Sequence, residues 1–257
     1  YGGLFGEIGI GDPTAAEVPR SGRVTDLTLR NVTIVGGRLH HTGGIVGQLA
    51  RGTIENVTVT GDVRGKGRVG GIAAAIGAES TVRQSRADVT IVNTERGVAG
   101  GIVGVNDGGT IVESAATGSV RGSDHVDVGG LVGHNHNESR ITAAYSRSEI
   151  RAGETDSVAG GLVAMNWPAG SIERCYATGP IRGGEFAGGL VGLTEARCRA
   201  SFWDASRADV ESSGCGSGLP GEEMQSRSTY TDAGWDFDDT WDMGTYPYLA
   251  WEQHGQG

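Results

Sequence analysis

Lysine is almost missing from this chain. Lys66 is the only one among 21 basic side chains, so the other positive charges are arginine. With 31 acidic residues the formal charge is −10, and no basic tract offsets it. General nucleic-acid binding, which needs clustered cations to displace counterions, is therefore not expected. Acid excess with Arg in place of Lys suits a salt-rich habitat or a GC-rich genome, and composition does not separate the two. Proline is scarce, at 6 residues, and no strict Gly-x-y period exists, which excludes collagen. Aromatic residues make up only 6%, so a compact globule of 257 residues would have a thin core. No run of about 18 apolar residues occurs, so no transmembrane segment is expected. No signal peptide is recognisable, and a chain that begins at Tyr1 reads as a mature form or a fragment.

Only three cysteines occur, Cys175, Cys198 and Cys215, with no Cys-x-x-Cys pair, which argues against a structural zinc site. Cys198 and Cys215 flank a loop and are the better-placed disulfide pair; three free thiols remain the open alternative. Also missing are Gly-x-Ser-x-Gly, His-Glu-x-x-His and P-loop signatures.

Glycine is abundant, at 47 residues. That is about 18%, against a usual share of about 7%. Much of it falls in four-residue blocks. Gly3-Leu4-Phe5-Gly6 is followed by blocks starting at Gly44, Gly71, Gly101, Gly130, Gly161 and Gly189, spaced by 27, 30, 29, 31 and 28 residues. A fixed period of this size signals a solenoid. Between blocks run stretches that alternate apolar or small with polar residues, the period of a half-buried strand. Aligned copies give an apolar column of Ile54, Val82, Ile111, Ile141 and Ile172. A second holds Val63, Ile91, Val120, Ile150 and Ile181. A third holds smaller groups: Val57, Ser85, Ser114, Ala144 and Cys175. The spacing predicts an all-β fold: a right-handed parallel β-helix of about seven coils. Asn106, Asn135 and Asn166 sit two residues after successive blocks and are expected to form an amide ladder.

The Gly-[Leu/Ile]-Val-Gly blocks resemble the GLUG motif of bacterial and archaeal surface proteins. The C-terminal signature extends the likeness: Ser201-Phe202-Trp203-Asp204, Gly218-Leu219-Pro220-Gly221-Glu222-Glu223-Met224, Gly234-Trp235-Asp236-Phe237, Thr240-Trp241-Asp242 and Tyr246-Pro247-Tyr248-Leu249. The resemblance implies a secreted or cell-surface β-helical module and transfers no catalytic residue.

The two ends differ from the repeat. Residues 1–200 are assigned to the β-helix. Its first coil is enlarged by a loop over residues 12–23, and its N-terminal edge reads as incomplete. An upstream segment or another subunit is expected to meet that edge, because an unpaired strand edge invites pairing. Residues 201–257 hold Trp203, Trp235, Trp241 and Trp251 and are assigned to an aromatic-rich C-terminal cap over the last coil, packed on the same domain.

Four constellations invite a functional reading. His134 and His136, with Glu138, could ligate a metal from one side of an extended segment, although a polar turn is the preferred assignment. The run Asp232, Asp236, Asp238, Asp239 and Asp242 offers oxygen ligands, but without EF-hand spacing it reads as a solvated acidic face. Arg121, Arg151 and Arg182 continue a column begun by Arg64. They could grip an anionic glycan or be neutralised by Glu149 and Asp62. Tyr145, Tyr176 and Phe202 fall at equivalent positions, as a sugar-binding platform or as a floor for the cap.

Asn31, Asn56 and Asn137 open glycosylation sequons. No cofactor is expected. The expected function is a non-enzymatic extracellular or cell-surface module for adhesion, cell-envelope structure or assembly. Its partner would be a polysaccharide or an envelope component, bound as glycan on a lateral face through Tyr145, Tyr176, Arg121, Arg151 and Arg182. The alternative is a secreted lyase or glycosidase acting on acidic polysaccharide, for which Tyr145, Arg147 and Arg174 are the loose candidates.

Overall fold

The computed structural model describes residues 1–9, 21–37 and 41–253. The loop expected over 12–23 lies outside the described residues for 12–20. The chain is almost entirely β-strand, wound as a parallel solenoid. One side is a seven-stranded sheet: Phe5–Ile8, Val46–Leu49, Ala73–Ile76, Val103–Asp107, Val132–His136, Val163–Asn166 and Val191–Thr194. Six full turns lie between its first and last strand. The other strands wrap round the remaining sides as one continuous sheet, and long ones such as Gly52–Gly70 bend through the corners.

Register follows the apolar columns. Ile54 pairs with Val82, Val82 with Ile111, Ile111 with Ile141, and Ile141 with Ile172. Val63, Ile91, Val120, Ile150 and Ile181 pair in the same manner. Their side chains are buried in one core that runs along the stack. In the first described coil the counterparts Val24, Leu27, Leu29, Val32 and Ile34 are only half-buried.

The blocks prove to be glycine doublets with two distinct reasons. A Cβ on the second glycine would sit 2.1 Å from the next coil's carbonyl at Gly44, Gly71, Gly101 and Gly161, and 2.0 Å at Gly130. A Cβ on the first would meet a carbonyl three residues ahead, for example Val132 O at 1.8 Å from Gly129. Backbone lies on backbone here, so no side chain fits. The fourth block position is looser, since Ala74 and Ala164 occupy it.

A corner precedes the small column. Asp26, Asn56, Gln84, Glu113, Ala143, Arg174 and Ala200 stack there, each left-handed with φ between 44° and 55°. None is glycine, although this conformation costs an L-residue about 1–2 kcal/mol. Some of that cost is offset between coils: Asn56 Nδ2 donates to Asp26 Oδ1 at 2.6 Å, and Gln84 Nε2 to Glu113 Oε2 at 2.8 Å. The corner also diverts backbone N–H groups from the ladder. Buried hydroxyls receive them: Val57 N to Ser85 Oγ, Ser85 N to Ser114 Oγ, and Cys175 N to Ser201 Oγ, at 3.1–3.4 Å. Serine is frequent in that column because it satisfies a donor that alanine would leave bare.

The asparagines form a buried amide chain. Asn106 Nδ2 donates to Asn135 Oδ1 at 2.9 Å, Asn135 Nδ2 to Asn166 Oδ1 at 2.8 Å, and Asn166 Nδ2 to Thr194 Oγ1 at 3.3 Å. Asn135→Ala strands one buried donor and one acceptor. It is expected to lower the unfolding free energy by about 2–3 kcal/mol, read as an earlier urea midpoint at unchanged slope. A shift within error of zero would show that water replaces the amide.

The last coil is closed by residues 205–216. Gly189 N donates to Ser212 O and Gly214 N to Val191 O, while Ser213 Oγ accepts from Leu190 N and Val191 N. Cys198 and Cys215 are joined by a disulfide, and Cys175 is a buried free thiol. Burial pushes the Cys175 thiol up to about 12, so it stays protonated. Phe202–Asp204 and Ser217–Leu219 still pair in parallel with the stack, so regular coiling persists beyond residue 200.

Candidate functional site

The tyrosine column was the foremost sequence-derived site, and the structure seals it. Tyr145 pairs with Tyr176 and Tyr176 with Phe202 in adjacent coils. The two tyrosine rings stack with centroids 5.0 Å apart. Across them lies the C-terminal segment: short helices Gly221–Met224 and Arg227–Asp232, the antiparallel hairpin Trp241–Met243 with Pro247–Leu249, and a 3-10 turn, Ala250–Gln253. Met224, Tyr230, Trp235, Trp241, Tyr246 and Leu249 pack on Ala115, Ala143, Tyr145 and Tyr176 as a second core. Trp241 stands 4.5 Å from Trp235 and 6.1 Å from Tyr176, centroid to centroid.

The aromatic segment lies along the side of several coils, so of the two readings of the tyrosine column the structure has the floor for the cap. Its own hydrogen bonds mark the reach: Trp235 Nε1 donates to Ala200 O and Trp251 Nε1 to Glu113 O, each at 2.9 Å. Tyr145 and Tyr176 are 1% and 0% exposed, so neither ring can offer a glycan a platform. Aromatics on a strand face with small neighbours such as Ala115 and Ala143 needed covering, and the tail supplies the cover.

Several polar groups beneath the segment are paired, while Trp241 Nε1 is buried without a hydrogen-bond partner. Tyr145 Oη donates to Glu252 Oε1 at 2.9 Å. Arg147 donates to Tyr176 Oη at 2.7 and 2.9 Å and to Pro247 O at 2.8 Å, with its guanidinium 4.7 Å above the Tyr145 ring. Tyr176 Oη donates to Pro247 O, Tyr246 Oη donates to buried Asp204 at 2.7 Å, and Arg86 pairs with Glu252 at 3.6 Å. Arg174 turns to Glu173 at 3.0 Å. Tyr145 and Arg147 are therefore occupied in holding the tail, Arg174 is paired with its neighbour Glu173 instead, and the tyrosine has no open path to a substrate.

Burial, reinforced by Glu252, raises the Tyr145 phenol; burial likewise raises Tyr176 and Tyr230. The folded state thus keeps protons that the unfolded chain releases above about pH 10. Stability from these groups is complete below that pH and falls as pH rises through it. Alkaline titration should show tyrosinate absorbance of these residues only together with loss of near-ultraviolet dichroism. Ionisation of all tyrosines near pH 10 with dichroism intact would contradict the sealed arrangement.

The remaining candidates are separate. His134 Nε2 lies 2.8 Å from Asp127 Oδ2 and His136 Nδ1 3.4 Å from Asp107 Oδ1, while Glu138 is exposed beside them. Burial holds His136 below the usual imidazole value, against the pull of Asp107. Among the described residues no group of three or more His, Cys, Asp or Glu side chains is placed to share a metal ion. Asp236 accepts from the backbone of Asp238 and Asp239 and from Thr240 Oγ1, a local turn that holds its carboxyl below the usual range.

Arg121, Arg151 and Arg182 stack in register and are exposed. Arg151 Nε contacts Glu149 at 2.7 Å, and the three guanidinium groups around Glu149 hold its carboxyl low. Asn31, Asn56 and Asn137 are exposed, each at a left-handed corner. Trp167, which no motif singled out, is 47% exposed on the seven-stranded side. Its only sequence signal was isolation from the aromatic-rich tail. Among the described residues no helix is long and apolar enough to cross a membrane.

Known proteins share this architecture. The GLUG motif matches residues 39–64. A 70-residue stretch is 37% identical to Halomucin of Haloquadratum walsbyi; it covers 27% of this chain and about 1% of that protein's length. A proposed immunoglobulin A1 protease from Bacteroides ovatus superposes with a TM-score of 0.62 at 22% identity, covering 97% of this chain and 74% of that one. An IgA1 protease superposes with a TM-score of 0.59 at 21% identity, covering 69% of this chain and 15% of that one. At such identities the likeness to solved structures is one of fold. With its doublets, registered columns and matched motif, the chain is a parallel β-solenoid that carries a GLUG motif over residues 39–64.

Proposed function

We propose that the chain is a non-enzymatic extracellular surface module, a rigid stack that serves adhesion, envelope structure or assembly. The coils and their C-terminal segment act as one unit. One observation carries this reading: Tyr145, Arg147 and Tyr176, the side chains best suited to proton transfer on an acidic sugar, are bound by Glu252 and Pro247 beneath the tail. Chemistry needs a base within reach of a substrate proton, and this set faces protein. The stretch similar to Halomucin and the GLUG match support a surface or secreted setting. The exposed Arg121, Arg151 and Arg182 offer a place for weak anionic contacts that repetition would strengthen. The test incubates the purified chain with acidic and neutral polysaccharides and follows unsaturated product and reducing ends. No turnover is expected. Turnover abolished by Tyr145→Phe or Arg147→Ala would replace this reading with a lyase.

A further inference from the structure

We infer that Trp167 is the centre of a binding site for neutral polysaccharide on the seven-stranded side of the stack, a site that goes beyond the surface role above. Trp203, Trp235 and Trp241 are all at most 5% exposed, whereas Trp167 is 47% exposed. An indole left in water on a well-packed protein is informative when its position is fixed and its surroundings are concave. Both conditions hold. Trp167 N donates to Asn135 O at 2.9 Å, Gly170 N donates to Trp167 O at 2.8 Å, and the preceding residue, Asn166, is buried in the amide ladder. The turn that carries the ring is therefore tied to two coils.

A hollow opens on each side of the indole. One, of about 450 Å³, is lined by His134, His136, Asn137, Pro168 and Ala169. The other, of about 230 Å³, is lined by Met165, Leu193, Thr194 and Glu195 with Pro168. The ring thus forms a ridge between two subsites, the shape that suits an extended chain crossing it rather than a compact ligand filling one hole.

The lining selects the chemistry. A pyranose presents an apolar C–H face to an aromatic ring and hydroxyls at its edge that both donate and accept. Imidazole and amide groups do the same. His134 is oriented by Asp127 at 2.8 Å, and Asn137 Nδ2 by Asp107 Oδ1 at 2.6 Å, so these rim groups are preorganised. Asp107, Asp127, Glu138 and Glu195 outnumber Arg68, a cation near enough to act on His136, and this balance disfavours uronic acids and sulfates. The site is therefore distinct in preference from the arginine column.

The test adds cellohexaose, mannohexaose, xylohexaose, chitohexaose or a polygalacturonate hexamer to the full chain. It follows the indole N–H resonance of Trp167, assigned by its disappearance in Trp167→Phe. At least one neutral hexaose is expected to shift that resonance saturably, with the acidic hexamer weaker. By titration calorimetry, which does not depend on that resonance, Trp167→Ala should weaken binding about tenfold or more relative to the parent, Trp167→Phe should retain part of it, and both should melt as the parent does. The inference is overturned if no neutral hexaose shifts the resonance at millimolar concentration, if Trp167→Ala binds unchanged, or if the acidic hexamer binds more tightly. Each of those results leaves the absence of turnover untouched, so failure here is distinct from failure of the surface-module reading.

Discussion

Trp241→Ala is expected to destabilise the protein by about 3–5 kcal/mol, the usual cost of removing a buried large aromatic. Trp241 is 2% exposed and sits between the tail and the stack, with Trp235 at 4.5 Å, Tyr176 at 6.1 Å and Tyr145 at 6.3 Å between ring centroids. The vacated space cannot collapse easily. Its floor is a registered strand face and its roof is a hairpin held by Tyr176 Oη and Arg147 on Pro247 O. Urea unfolding followed by far-ultraviolet dichroism measures the change. Trp167→Ala is the matched control, because a surface indole should shift stability by no more than about 0.5 kcal/mol. Equal shifts in the two variants would contradict the assignment of the tail to a second core.

Gly101→Ala, the smallest possible substitution, is expected to cost about 3 kcal/mol, at the upper end for an added methyl. The new Cβ would stand 2.1 Å from Gly130 O in the next coil and 2.7 Å from Ala116 Cβ. No rotamer relieves a clash with backbone, so neighbouring coils must separate and weaken their ladder. Ala74→Gly tests the converse at the tolerant fourth position and should cost no more than about 1 kcal/mol. The contrast between two Gly/Ala exchanges three residues apart in the repeat separates close approach from general glycine flexibility. Comparable midpoints would mean that the coils are not in the contact described.

Much of the stack was legible because a solenoid is local. Ile54, Val82, Ile111, Ile141 and Ile172 each touch the next copy of themselves, so alignment of repeats reads off register directly. The amide chain was legible for the same reason, since Asn106, Asn135 and Asn166 recur at one phase. The left-handed corner was not. Asp26, Asn56, Gln84, Glu113, Ala143, Arg174 and Ala200 share a backbone conformation but no side-chain chemistry. The second glycine of each doublet was read, but the reason for the first appears only where a carbonyl curls back on it.

The candidate site was less legible. Aromatic abundance after residue 200 signals burial, but periodicity says nothing about which surface an irregular tail covers. Tyr145 and Tyr176 are outward on their strands and yet inside the protein, because that tail lies on them. Trp167 carried too little pattern to be noticed, as a single ring in a turn.

Hydroxyl-radical footprinting of the native chain, read residue by residue by mass spectrometry, tests the central claim most directly. The account predicts rapid oxidation at Trp167 and strong protection at Tyr145, Tyr176, Tyr230, Trp235 and Trp241, lost together when urea frees the tail. Oxidation of Tyr145 and Tyr176 in the native protein at a rate comparable to Trp167 would show that the tail does not seal this face, and the account would fail.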